Sequence, residues 1–420
     1  MDNSKPHLQP FFDSLAHMLS KDVVYTPPLK GVFLQDYMRA KEFLLSYQGS
    51  QDTFNAYRRE IERFLQWCQL KANKSLTQIK REEFESYLEF CQKPPKSWIA
   101  LKNEPRFVLK NGSRIPNKKW RPFVVMVSKV DTKAGKAADK QNYALSEKAF
   151  KALFAVISSF YNFLIQENYT MLNPVLLIRQ KSRYLKKTKI GPKIRRLSEL
   201  QWGYVLETAE IAAEADPDRY ERTLFILNAL YGMYLRISEL TASERWTPTM
   251  GDFERDPDGN WWFNTVGKGN KARKICVSDA MLKALKHYRK YLKLPALPCV
   301  GERTPLITKS RTNAAVKSVR YIRSIVQEAF DQAIERLRED NQAEEAEQLA
   351  VATVHWLRHT GISDDVKIRP REHVRDDAGH SSSAITDRYI DIELRERHAS
   401  AKKKSIKPQF LLDILPKTPA

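Results

Sequence analysis

The sequence predicts a mainly α-helical protein with a small antiparallel β-sheet, folded as a helical first domain and an α+β second domain. Three observations carry this. Apolar residues recur at helical spacing over most of the chain, strand and turn signals cluster in one short region, and an unbroken basic stretch separates the two halves.

Taken in order, residues 1–32 hold several prolines and no long periodic pattern, and read as an extension of uncertain order. Phe33, Tyr37, Ala40 and Leu44 then form a helical stripe. After the break at Gly49-Ser50, Thr53, Tyr57, Ile61, Phe64, Leu65 and Cys68 form another. Leu76 to Cys91 reads as a third helix. Lys148 to Gln166 reads as a fourth, with Phe150, Leu153, Phe154, Ile157, Tyr161 and Leu164 on one side and a stop near Asn173-Pro174. These helices make a domain of residues 33–178. Within it, residues 94–143 form a Lys-, Arg-, Pro- and Gly-rich insertion with one strand-like piece, Phe123 to Val127. Two readings of the insertion stand: a loose surface loop, or an extra loop against phosphates.

Residues 179–197 carry Lys186, Lys187, Lys189, Lys193, Arg195 and Arg196 with no acidic residue, and read as an extended interdomain linker. Ser198-Glu199-Leu200-Gln201 has the form of a capping box and marks the first helix of the second domain, 198–392. Helical patterns follow at 200–214, 218–232 and 236–245. Strand-like pieces come next: Thr247 to Phe253, Trp261 to Val266 and Arg273 to Val277, joined by turns at Asp258-Gly259 and Gly267-Lys268-Gly269-Asn270. The remainder reads as helical, ending in a tail, 393–420.

Composition narrows the function classes. The 420 residues suffice for two or three domains, and 42% hydrophobic content excludes a disordered chain. A net charge of +21 points to a polyanionic partner, because each Lys or Arg set against a phosphate releases condensed counterions. Cys68, Cys91, Cys276 and Cys299 are scattered, unlike a zinc or redox site, and fit a reducing compartment. Met1 to Leu19 lacks a signal-peptide core, and no apolar run reads as long enough to cross a bilayer, so a cytoplasmic protein is expected.

Phosphodiester chemistry without a metal needs a nucleophile, cations for the charge on the phosphoryl oxygens, and a proton donor for the leaving hydroxyl. The second half supplies candidates for each. Arg236, in Leu235-Arg236-Ile237-Ser238-Glu239-Leu240, has a guanidinium able to fork two phosphate oxygens, and Glu239 is placed to orient a neighbour. His355-Trp356-Leu357-Arg358 puts an imidazole and a second guanidinium on one helix face, with Leu357 toward the core. Gly267-Lys268-Gly269-Asn270-Lys271 makes a tight turn that presents Lys268; it lacks the Walker pattern of a nucleotide-binding loop. The run from Gly379-His380 to Arg388-Tyr389 adds a second imidazole and a phenol. Each motif alone is also explained as a solvated basic face or a packing aromatic.

In combination, Arg236, Lys268, His355, Arg358, His380 and Tyr389 resemble the full active-site set of the tyrosine recombinases and phage-type integrases. Residues 198–392 resemble that family's catalytic domain, and 33–178 resemble, more loosely, its helical core-binding domain. The resemblance implies that Tyr389 attacks the scissile phosphate to form a 3′-phosphotyrosyl link. It implies that Arg236 and Arg358 hold the non-bridging oxygens, Lys268 protonates the leaving 5′ oxygen, His355 exchanges a proton, His380 bonds the phosphate, and Glu239 supports the site. No ATP, metal or other cofactor is expected. Double-stranded DNA is the expected partner, contacted by the linker cations and by Lys271 and Arg273. A homotetramer on two sites, docking of the 393–420 tail on a neighbour, DNA-bending accessory proteins and a bacterial nucleoid location are further implications.

The chain departs from the family pattern at Gly361-Ile362-Ser363-Asp364-Asp365, where a more apolar helix is usual, and at Ala378, where leucine is more usual. Two alternatives remain within DNA transactions: a non-catalytic architectural relative, and a transposase or resolvase with the same chemistry. A metal-dependent nuclease is disfavoured, since Asp364-Asp365 and Asp376-Asp377 lie in a polar stretch that a solvated loop or helix end explains.

Overall fold

The computed structural model describes residues 8–20, 25–47, 51–128, 131–132, 135–179, 195–244, 246–267, 269–310, 312–387 and 401–402. The chain divides into two compact units, Met1–Gly191 and Pro192–Ala420.

In the first unit the helices Val32–Leu45, Gln51–Trp67, Arg81–Gln92 and Glu147–Gln166 bring their apolar stripes together around Phe43, Phe54, Phe64, Tyr87, Phe154 and Tyr161. The stripe at 76–91 is not one helix. A 3₁₀ turn, Leu76–Gln78, is closed by Ser75 and Gln78 in a reciprocal cap, and the α-helix begins afresh at Arg81. Glu147–Gln166 is long and apolar enough to cross a membrane, yet its Phe150, Leu153, Phe154, Ile157 and Phe160 are buried in this core.

Part of the N-terminal extension belongs to the unit. Phe11 and Phe12 are buried, and their backbone N–H groups donate to the Glu62 carboxylate at 2.6 and 3.1 Å. The short helix Leu15–Leu19 is capped by Ser14 and buries Leu15 and Met18.

The 94–143 insertion is also built in, rather than loose. Ile99–Ala100 pairs in parallel with Phe123–Val124, and Phe107–Lys110 pairs antiparallel with Ser113–Pro116. Trp98, Phe107, Trp120 and Phe123 are buried. Two of its arginines serve the fold: Arg106 pairs with buried Glu62, and Arg114 with Asp13. Lys102, Lys110, Lys118 and Lys119 remain exposed.

The second unit starts as the capping box predicts. Ser198 Oγ accepts from Gln201 N at 3.1 Å, Gln201 Oε1 accepts from Ser198 N at 3.0 Å, and the helix Glu199–Ala215 follows. It packs with Pro217–Gly232, Val319–Glu339 and Ala343–Ala350 around Phe225, Leu230, Val326 and Phe330. Phe253–Arg255, Trp261–Val266 and Ala272–Cys276 form a three-stranded antiparallel sheet, with Phe263 opposite Phe253 and Ile275 in register. A small hairpin, Thr308–Lys309 with Thr312–Ala315, was not signalled by the sequence pattern.

Two further expectations are corrected. The 236–245 stripe is not an α-helix: the preceding helix stops at Gly232, Tyr234 takes a left-handed φ of 49°, and Arg236 is extended. What remains is a 3₁₀ turn, Ile237–Glu239, held by Arg236 N donating to Glu239 Oε2 at 2.8 Å. Nor is Thr247 to Phe253 a strand. Asp252 accepts from Thr249 N at 2.6 Å and curls the chain into a 3₁₀ turn, Met250–Asp252, so the strand begins only at Phe253.

Candidate active site

The site is organised by the end of one helix. Arg371–Ala378 stops at Gly379, which adopts a left-handed φ of 63°. A helix end leaves carbonyls without intrahelical partners and carries the negative pole of the helix dipole. Here three successive carbonyls each receive a guanidinium from a different part of the chain. Arg273 Nε donates to Asp377 O at 2.9 Å, Arg358 Nη2 to Ala378 O at 2.5 Å, and Arg236 Nη2 to Gly379 O at 3.4 Å.

A carboxylate ties two of these cations together. Glu239, 1% exposed, accepts from Arg273 Nη1 and Nη2, each at 2.8 Å, and from Arg236 Nη1 at 2.9 Å. Burial acts to raise its pKa, but Arg273 and then Arg236 outweigh it and hold the carboxyl below its ordinary value. Arg236 is the more open of the pair, its side chain 27% exposed against 10% for Arg273.

The helix Val354–Asp365 supplies Arg358 and His355 from one face, as the spacing requires, with Leu357 fully buried behind them. Arg358 also donates to the carbonyl of Tyr234, the residue whose left-handed backbone ends the earlier helix. His355 is exposed at the rim, and its ring meets the His359 ring edge-on at 4.3 Å. His380 Nδ1 lies 2.9 Å from the buried hydroxyl of Thr386, which fixes the ring's orientation.

The three histidines are all shifted away from the charged form. Burial, then the guanidiniums of Arg358, Arg236 and Arg273, push His380 down to about 4. Burial, then His355, Arg358 and His380, push His359 down to about 4 as well. His355, though at the rim, is lowered by partial burial on its inner side and then by Arg358 and Arg236. Three guanidiniums, those of Arg236, Arg273 and Arg358, thus gather beside the buried carboxylate of Glu239, an arrangement that favours an entering anion.

The structure thus gathers Arg236, Glu239, His355, Arg358 and His380. Lys268 and Tyr389 lie outside the described residues, as do Lys186, Lys187, Lys189, Lys193 and the 393–400 and 403–420 parts of the tail. Beside Lys268, the Gly267 backbone is so close that an added Cβ would sit 2.9 Å from Arg273 Nη1 and 3.0 Å from Glu239 Oε1. Lys271 and Arg195 are exposed, and Arg196 lies 3.8 Å from Asp364. Arg273, grouped on sequence with the DNA contacts, instead points its guanidinium into the protein. His359, Thr386 and Tyr234 escaped the sequence reading. His359 had a signal, its place next to Arg358; Thr386 and Tyr234 had none.

The departures from the family pattern have local reasons. Gly361 lies under the neighbouring helix, where a Cβ would come 2.1 Å from Tyr231 O. Asp364 and Asp365 accept hydrogen bonds from the hydroxyls of Tyr231 and Tyr234. Asp377 accepts from Arg369 and from Cys276 N. Ala378 is fully buried in a small cluster with Tyr234, Ile362 and Val374. Among the described residues, no group of three or more His, Cys, Asp or Glu is placed to hold a metal ion.

Comparison with known proteins gives a consistent picture. The model of the phage integrase N-terminal SAM-like domain matches residues 40–103. Tyrosine recombinase XerD of Rickettsia bellii is 28% identical over 145 residues, 34% of this chain and 44% of that protein. Tyrosine recombinase XerC of Chlorobaculum parvum is 25% identical over 201 residues, 45% of this chain and 56% of that one. The matches therefore span about half the length of these relatives. In fold, the chain is similar to the XerH site-specific recombinase bound to a palindromic difH substrate, with a TM-score of 0.50 at 16% identity over 88% of this chain and 87% of that one. A lambda integrase dimer bound to a COC′ core site gives a TM-score of 0.50 at 14% identity, over 88% of this chain and 80% of that one. The chain is thus similar in sequence, over part of its length, to tyrosine recombinases and to the phage integrase N-terminal SAM-like domain, and similar in fold, over most of it, to a site-specific recombinase and an integrase.

Proposed function

We propose that the chain is a site-specific DNA recombinase of the integrase kind, cutting and rejoining double-stranded DNA through a 3′-phosphotyrosyl intermediate on Tyr389. The observation that carries this reading is the gathering of Arg236 and Arg358 with His355 and His380 around one helix end, shortly before Tyr389 in sequence.

In this reading a phosphodiester enters the cationic site, with Arg236 and Arg358 on its non-bridging oxygens and His380 donating to it through its ring N–H. The Tyr389 oxygen attacks phosphorus as its proton passes to His355 or to water. The bond to the 5′ oxygen breaks, and Lys268 supplies the proton that oxygen takes up. The phosphodiester is exchanged for a phosphotyrosyl ester of similar energy, so a 5′-hydroxyl from a second strand can reverse the step without ATP or metal. From the family resemblance we further infer a homotetramer working on two DNA sites in the cytoplasm, with DNA-bending accessory proteins.

The test is a covalent trap. The purified chain is incubated with labelled, nicked duplex from its own flanking junction, in EDTA, and run on denaturing gels beside Tyr389→Phe. A slow-migrating adduct is expected in wild type alone. DNA binding without an adduct across a screened site library would favour an architectural, non-catalytic role. Transposase or resolvase use of the same chemistry is separated afterwards, by whether linear insertion products or resolved circles form.

A further inference from the structure

We propose that Arg273 is a positioning residue for strand cleavage, and not a DNA contact: it fixes Glu239, and through Glu239 the phosphate-holding Arg236, against the helix end that precedes His380. This rests on the recombinase reading above. Arg273 leaves the strand Ala272–Cys276, where a basic residue would ordinarily face solvent or a phosphate. Its side chain is only 10% exposed, and Nε, Nη1 and Nη2 all donate inside the protein. The two Nη groups grip both oxygens of Glu239 in a fork that lysine cannot reproduce.

Two glycines are cut to fit it. A Cβ on Gly379 would lie 2.8 Å from Arg273 Cδ, and a Cβ on Gly267 would lie 2.9 Å from Arg273 Nη1. The guanidinium is therefore wedged between the turn that carries Lys268 and the helix end before His380. Glu239, so held, presents its remaining hydrogen-bonding capacity to Arg236 through both the backbone N–H and Nη1. One residue thus sets the spacing of three separate motif regions. Arg358 is no less buried, so burial alone does not decide; Arg273 differs in setting both Nη groups on one carboxylate, and it can meet a DNA phosphate only by releasing Glu239.

The charged groups facing Glu239 are Arg236 on its own turn and Arg273 from the sheet, with neutral His380 beyond them. If Arg273 is removed, burial dominates and the Glu239 pKa rises, so Glu239 takes up a proton in mildly acidic solution and Arg236 loses its partner. Cleavage then declines as pH falls from neutral, where wild type does not. Lysine at 273 keeps the charge but not the fork, so the acid decline stays at its wild-type position while the rate remains low.

The experiment uses the full chain with Arg273→Lys, Arg273→Met, Glu239→Gln and the Glu239→Gln/Arg273→Met double variant. Thermal melts come first, to restrict comparison to folded variants, with Arg273→Lys as the variant kept if Arg273→Met does not fold. Expected are an unchanged slope of log Kd against log salt and a rate of adduct formation at saturating DNA lower by about 10²-fold. The acid decline should move toward neutrality in Arg273→Met but not in the double variant, which lacks the titrating carboxyl. A salt slope reduced by about 0.9, with the saturated rate preserved, would overturn the proposal and make Arg273 a phosphate contact. Absence of an adduct from wild type would remove the recombinase reading itself. Arg273 can still be judged then, by NMR titration of His380 in the free protein: the pKa rises from about 4 in Arg273→Met if the guanidinium sits where the structure puts it, and stays if it does not.

Discussion

His380 and Gly379 are neighbours with different consequences for a mutational study. His380 and His359 are both pushed from an ordinary 6.5 down to about 4, so between those values the unfolded chain binds protons that the native protein refuses. Their contribution is fully present above about pH 6.5 and is lost as pH falls toward 4. Urea titrations from pH 7 to 4 should therefore show falling stability, and His359→Gln and His380→Gln should each flatten that fall. An unchanged pH dependence in both would mean that the rings are not neutral in the native state. Gly379 bears on conformation instead. Its left-handed φ and the 2.8 Å approach of Arg273 Cδ leave no room for a side chain. Gly379→Ala should cost about 1–3 kcal/mol in chemical denaturation. It should also slow adduct formation, because Arg236 donates to the carbonyl of this residue. The membership of the candidate site was partly legible in the sequence. Arg236, His355, Arg358 and His380 could be singled out by residue type and spacing, and the fold brings them together. Arg273 could not be separated from the exposed Lys271 beside it, since only the tertiary structure brings Glu239 opposite its guanidinium.

At the scale of elements, long helices were legible and short turns were not. Glu147–Gln166 and Gln51–Trp67 carry wide apolar stripes whose burial dominates any local preference. The stripe Leu235-Ile237-Leu240 looks equally helical, but a left-handed Tyr234 and a capping Glu239 make it a 3₁₀ turn. That outcome depends on Arg358 and Ala378 contacts distant in sequence, which no local pattern encodes. The insertion at 94–143 held a usable signal in Trp98, Trp120 and Phe123, aromatic residues that seldom decorate a loose loop. The packing of Val354–Asp365 on Pro217–Gly232 gives a sharper test. Gly361 lets the two backbones approach, and a Cβ there would fall 2.1 Å from Tyr231 O. Gly361→Ala should therefore destabilise the protein by about 1–3 kcal/mol or more, despite alanine's better helix propensity. Because the same helix carries His355 and Arg358, the loss should extend to cleavage at temperatures where the variant is still folded. A variant as stable as wild type would show that the helices can part at no cost.

Across the whole molecule, charge is distributed in two ways that salt can distinguish. Arg106, Arg114, Arg273 and Arg369 are paired with carboxylates and hold the fold together. Lys186, Lys187, Lys189 and Lys193 lie in a stretch with no acidic residue, and account for part of the +21 net charge. Counterion release counts only cations that meet phosphates, so the internal pairs are silent in a salt titration, whereas these lysines register in it if they lie against DNA as proposed. Replacing all four lysines with Gln should make log Kd against log salt shallower by about 0.9 for each lysine that meets a phosphate, about 3–4 in total. Adduct formation at saturating duplex should keep its wild-type rate, because none of these residues belongs to the chemistry proposed for Tyr389. A slope that stays unchanged would assign DNA affinity to other surfaces, with the exposed Lys102, Lys110, Lys118 and Lys119 of the insertion next to be replaced.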